Sequence, residues 1–314
     1  MPLRFLLLLL ILKPLPLLAN VAISGHTQAP IRSLMLDLQP TAAHFHQGQF
    51  WALEYDGASI FAFDEQQRYG FDYYQAEYRF QLSYSPSTRW LWRASVGQLR
   101  SDDVGLDQLT LSFHKLFGLS QNGRDNVAKH RFYATVAESS LQLADFRQQR
   151  LASQYRFSGY HQFWSSAASQ LGVGMSLQYQ RTSRLWRQGG AWDLGLQLDY
   201  GYHWREHHHL WAQVGVVRTG AQRILWQPVR TWQPTMALGY RYQMDDRHSW
   251  ALQYQLSRGP LVHLGQLSQA VHEVYINYRY QRGFQQWDFI LLENTINADN
   301  SADVGLGIRY QRRF

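Results

Sequence analysis

No cysteine occurs in the sequence, which removes disulfide bridges, thiol catalysis and thiolate metal sites together. Unbroken hydrophobicity is also scarce. Beyond one short run near the start, no apolar stretch approaches the roughly 20 residues that a membrane-crossing helix needs. Mean hydropathy is -0.40, so a helical membrane bundle is excluded. A membrane β-barrel is not, because polar residues facing a lumen dilute the apolar ones facing lipid. Negative charge is in deficit: the formal net charge is +7. Nucleic-acid binding is the generic reading of a basic chain, but the export signal described next argues against it.

Met1 to Ala22 has the outline of a secretory signal. Arg4 supplies a positive start, Phe5 to Leu12 an apolar run, and Lys13, Pro14 and Pro16 break it before small residues at Ala19 and Ala22. Residues 23–48 are expected to form a periplasmic lead-in or a plug, and residues 49–314 a single barrel.

Segments of about ten residues with a two-residue period then recur along the chain. In 72–84, Tyr74, Ala76, Tyr78, Phe80, Leu82 and Tyr84 alternate with Gln75, Glu77, Arg79, Gln81 and Ser83. In 192–203, Trp192, Leu194, Leu196, Leu198, Tyr200 and Tyr202 alternate with Asp193, Gln197, Asp199 and His203. Similar segments occupy 49–61, 88–98, 169–180, 209–217, 234–243, 248–257, 272–281 and 285–294, and a closing strand ends at Phe314. A soluble β-sandwich would also alternate. Aromatic residues concentrated at strand ends, and connections alternating between short and long, favour a transmembrane antiparallel barrel of about twelve strands in a Gram-negative outer membrane. Either 131–141 or 151–163 supplies the fourth strand, since counting both breaks the parity.

From Phe113 the chain reads FHKLFGLSQNGRD, and from Glu293 it reads ENTINADNSAD. Both stretches resemble an uncharacterised family of bacterial outer-membrane β-barrels, domain of unknown function 3187. Lys115 and Arg312 depart from the pattern, at positions where an acidic and an aromatic residue are expected. The resemblance implies a barrel and a location, and no reaction. The loop residues that carry it are Phe113, His114, Phe117, Gly118, Asn122, Gly123, Arg124 and Asp125.

Alternation places Glu54, Asp56, Glu77, Arg79, Arg93, Asp193, Asp199, Arg241, Glu273, Arg279, Asp288, Asp303 and Arg309 on the lumenal face, where charges of both signs should pair. No single-sign ring of a selective pore is present. Inward glycines such as Gly195, Gly215, Gly239 and Gly307 leave room for a water-filled channel or an infolded loop. Arginines in the longer connections, Arg184, Arg187, Arg218, Arg223 and Arg230, suit lipopolysaccharide phosphates. The terminal Phe314 marks a strand for the outer-membrane assembly machinery.

The longest outer loop, 99–130, has helix-like apolar spacing at Phe113, Leu116 and Phe117. Ser112, His114 and Asp125 contain the residue types of a hydrolytic triad, but spacing and setting fit it poorly. His263, Ser268 and His272 are a thinner set near an outer rim. His207, His208 and His209 read as a wet turn rather than a metal site, and Asn297, Asp299, Asn300 and Asp303 as turn chemistry. No metal or cofactor is expected. The favoured reading is a monomeric, narrow channel or ligand-binding barrel for a small solute, with outer-membrane lipid as surroundings. A lipid-modifying enzyme or a scaffold without a pore are the alternatives.

Overall fold

The computed structural model describes residues 22–41, 45–106, 108, 112, 115, 128, 130–137, 141–183, 186, 189–296 and 300–314. Residues 1–21 of the proposed signal segment and, Lys115 apart, the Phe113–Asp125 motif lie outside them.

Twelve strands close into one antiparallel barrel: β1 (Gly48–Phe63), β2 (Tyr69–Ser87), β3 (Trp90–Arg100), β6 (Arg150–Ser165), β7 (Ser169–Thr182), β8 (Gly190–Trp204), β9 (His208–Thr219), β12 (Trp232–Gln243), β13 (His248–Ser257), β14 (Val271–Arg282), β15 (Gln285–Ile296) and β16 (Val304–Arg313). Each pairs with its sequence neighbours in the barrel. β1 closes the cylinder by pairing with both β2 and β16, from Phe50 opposite Arg313 to Ser59 opposite Val304. Closure leaves no unpaired edge, which is the condition for strands to cross a membrane.

The fourth barrel strand is β6. The competing stretch 131–141 is not idle, however. It contributes β4 (Tyr133–Val136), which with β5 (Leu141–Ala144) forms a hairpin on the upper end of β2. β2 is long enough to pair with β3 from Ala76 onward and with β4 from Tyr69 to Asp72. A second small hairpin joins β10 (Arg223–Ile224) to β11 (Gln227–Pro228).

The burial pattern decides between sandwich and membrane barrel. Along β8, Trp192 and Leu196 are 59% and 52% exposed, whereas Asp193 and Asp199 between and beyond them are 0% and 1% exposed. Apolar side chains face outward and polar ones inward, the reverse of a water-soluble core. Exposed aromatics collect near the short-turn end (Tyr84, Trp90, Trp92, Trp164, Trp204, Tyr242, Trp250, Trp287) and near the long-loop end (Trp192, Trp226, Trp232). Such belts sit where rings keep one edge dry and one wet.

Candidate functional site: the barrel lumen

The lumen is not an open bore. Residues 22–41 enter it and are almost wholly buried there, with one short 3-10 turn at Arg32–Leu34. The wall grips this segment through carboxylates that accept from its donors. Asp193 accepts from the Leu36 N–H (3.0 Å) and Asp199 from the Thr41 N–H (3.0 Å). Glu273 accepts from the Thr27 hydroxyl (3.0 Å) and the Gln28 N–H (3.2 Å). Wall amides do the reverse: Gln154 donates to the Ser33 carbonyl (2.8 Å) and Gln197 to the Gln39 carbonyl (2.9 Å). An extended segment with no sheet partner must satisfy its backbone in this way once water is excluded.

The segment brings its own charges. Arg32 donates to the Leu36 carbonyl (2.7 Å) and lies 3.8 Å from Asp37. Asp37 also accepts from Gln255 of the wall (2.9 Å). Apolar contacts add to this: Ile23, Ile31, Leu34 and Met35 belong to the large buried cluster that includes Tyr73 and Trp186. Leu36 and Leu38 pack with Val217, above the glycines at 195 and 215. Gly25 lies against the Tyr275 ring.

Several other inward charges find partners in the wall. Glu54 meets Arg309 at 2.8 Å, Arg79 at 3.8 Å and His26 of the segment at 3.3 Å. Arg79 is bound to Glu77, and Arg279 meets Asp288 at 2.7 Å. Arg241 donates to Ser249 (2.7 Å) and Asn277 (2.8 Å). Asp56 is buried and inward. Arg93 is half-buried on the same face, beside Tyr160.

Three lumenal features escape a reading by alternation alone. Residues 22–41 have no period, so nothing local marks their partners, which lie up to 246 residues away. Arg156 faces inward on β6, the strand whose identity the sequence leaves open. Trp211 is buried in the lumen and donates to Gln253 (2.9 Å). Its signal was present: Gly239 stands opposite it on β12 and leaves the indole its space.

The long-loop end carries a second closure. Tyr69, Phe71 and Tyr73 of β2 pack against Phe146 and Trp186, with ring centroids of Tyr73 at 5.4 Å from Phe146 and 5.8 Å from Trp186. Ile224, Leu225, Leu261, Leu264 and Leu267 belong to the same buried cluster.

Of the loop arginines, Arg218 and Arg223 are exposed, while Arg184 and Arg187 lie outside the described residues. Arg230 differs from the expectation. Its guanidinium donates to the carbonyls of Gly259 (2.9 Å), Leu261 and Ser268 (2.9 Å), so it ties two outer loops together instead of reaching toward lipid phosphate. His114 and Asp125 of the triad candidate lie outside the described residues. His272 is hydrogen-bonded to the Tyr254 hydroxyl (2.6 Å) and Ser268 accepts from the Leu264 N–H (2.6 Å), so neither serves the other. His208 meets Tyr240 (2.7 Å) and His209 meets His203 (2.8 Å). Among the described residues, no three His, Asp or Glu are arranged to hold a metal ion.

Residues 22–314 match the family described as protein of unknown function DUF3187. The chain belongs to this family. No curated protein matches it. Among solved structures, this DUF3187 barrel is similar to the COG4313 outer membrane channel from Pseudomonas putida F1. The identity is 13%, the TM-score 0.58, and the match covers 88% of this chain and 100% of the other. The NanC porin is a more distant likeness, at 8% identity and a TM-score of 0.49, covering 85% of this chain and 98% of that one. So is the Ralstonia pickettii toluene transporter TbuX, at 10% identity and a TM-score of 0.43, covering 86% and 90%. The likeness to the COG4313 channel shows the fold, a closed antiparallel β-barrel of nearly continuous strand.

Proposed function

We propose that this protein is a narrow channel of the Gram-negative outer membrane whose bore is occupied, in the resting form, by residues 22–41. One observation carries the reading: beside its apolar contacts, the segment meets the wall through hydrogen bonds to carboxylates and amides. Withdrawing it would bare a polar surface, with Asp193, Asp199 and Glu273 available to water. A purely structural filling would more simply be greasy throughout, because buried charge is weak evidence for stability. Twelve strands also enclose more space than the eight that side chains alone can fill. The resemblance to the COG4313 channel supports the same reading. With charges of both signs in the wall, the solute is a small hydrophilic one.

Arg218 and Arg223 then meet lipopolysaccharide at the outer surface, where guanidinium forks match phosphate. The exposed Phe314 at the end of β16 addresses the chain to the outer-membrane assembly machinery.

Planar-bilayer recording tests the channel. The full chain should give rare or small openings, and deletion of residues 22–41 a larger, steady conductance. If neither protein conducts, the proposal fails and the barrel is a scaffold.

A further inference from the structure

We propose that the lumen holds one monatomic anion of the chloride type between Arg93 and Arg156. The inference is independent of conduction. In the β3–β6 register Arg93 stands opposite Ser158, and Arg156 opposite Ser95. The two arginines are therefore diagonal neighbours on the inward face, a relation that puts residues about 7–8 Å apart. Both line one enclosed polar cavity, together with Ser24, His26 and Gln39 of the inserted segment and Glu54 of the wall.

Among the described residues, neither arginine has a carboxylate within ion-pair reach. Arg93 lies over the Tyr160 ring, 5.2 Å from its centroid, and its Nε is buried without a hydrogen-bond partner. Arg156 directs its Nε to the Gln178 amide oxygen at 3.0 Å. Glu54, which shares the cavity, is already committed to Arg309, His26 and Arg79. Glu77 is committed to Arg79. Two half-buried guanidinium groups lining one small cavity, without a carboxylate of their own, are costly unless something compensates them.

Size selects the compensating group. The cavity measures about 20 Å³, room for one water-sized occupant. A halide fits that space. Ser24, His26 and Gln39 come from the inserted segment, and Arg93 and Arg156 from the wall. The anion would thus sit across the join and fasten the segment to the barrel.

Thermal unfolding of the full chain in detergent, at matched ionic strength, tests this. Chloride or bromide should raise the midpoint saturably, and gluconate should not. R93Q and R156Q should lose the halide-specific rise, while R156K, which keeps the charge, should retain part of it. An equal rise in all salts would overturn the proposal, as would an unchanged halide effect in both glutamine variants. Bromide-soaked crystals of the unmodified protein give a check that does not depend on variants folding. An anomalous peak between the two guanidinium groups is expected, and its absence refutes the site.

Discussion

Leu38 reaches the lumen wall because glycines at 195 and 215 stand beneath it. A Cβ at Gly195 would come within 2.5 Å of Leu38 and 2.9 Å of Leu36, and one at Gly215 within 2.6 Å of Leu38. Gly195→Leu should therefore lever the inserted segment away at this point. Overpacking of this kind costs about 1–3 kcal/mol, so thermal unfolding should shift downward, and conductance should rise toward that of the protein lacking residues 22–41. Unchanged behaviour in both measurements would mean that the segment is not anchored there. At this scale the sequence was readable on one side only. Alternation put Asp193, Asp199 and Glu273 on the inward face. Their partners in residues 22–41 were invisible, because a segment satisfied by single hydrogen bonds to distant strands needs no periodicity of its own.

The elements were legible wherever one face meets lipid, since a one-residue slip would turn every apolar side chain inward. Hence the strand pattern of 192–203 reappears within β8 and that of 248–257 as β13. Ambiguity survived between 131–141 and 151–163 because both do form strands. Pairing beyond the end of β3 could not be read from a local period. The turn joining β1 and β2 shows what local chemistry settles. Asp64 accepts both arms of the Arg68 fork (2.8 and 2.7 Å) and the N–H groups of Gln66 (3.1 Å) and Arg68 (3.2 Å). The Arg68 side-chain hydrogen bond leads in holding the Asp64 carboxyl below its usual range. A carboxyl lowered by folding stabilises the turn fully above its unfolded value of about 3.9, and that stabilisation is lost as pH falls through the lowered value. Amide exchange at Gln67 and Arg68, corrected for its intrinsic pH dependence, should therefore show less protection at strongly acid pH. Asp64→Asn should remove that trend; a trend that persists in the variant would assign it to another group.

Across the whole molecule the polarity is inverted, and this can be measured directly on β12. Leu238 lies midway along the strand and is 56% exposed, while its neighbours Ala237 and Gly239 face the lumen. Tyr242 points outward on the same strand near the short-turn end and is 42% exposed. If the outer surface is solvated by lipid tails, the cost of a charge must depend on depth. Leu238→Arg should lower unfolding free energy in lipid vesicles by about 2–4 kcal/mol, and Tyr242→Arg by no more than about 1 kcal/mol from the charge. In a water-exposed sheet both substitutions would be nearly neutral, because a surface arginine keeps its hydration. Chaotrope titration of the two variants beside the parent separates these cases. Equal, small effects at the two depths would show that Leu238 does not face hydrocarbon, and the barrel would then have to be placed outside the membrane.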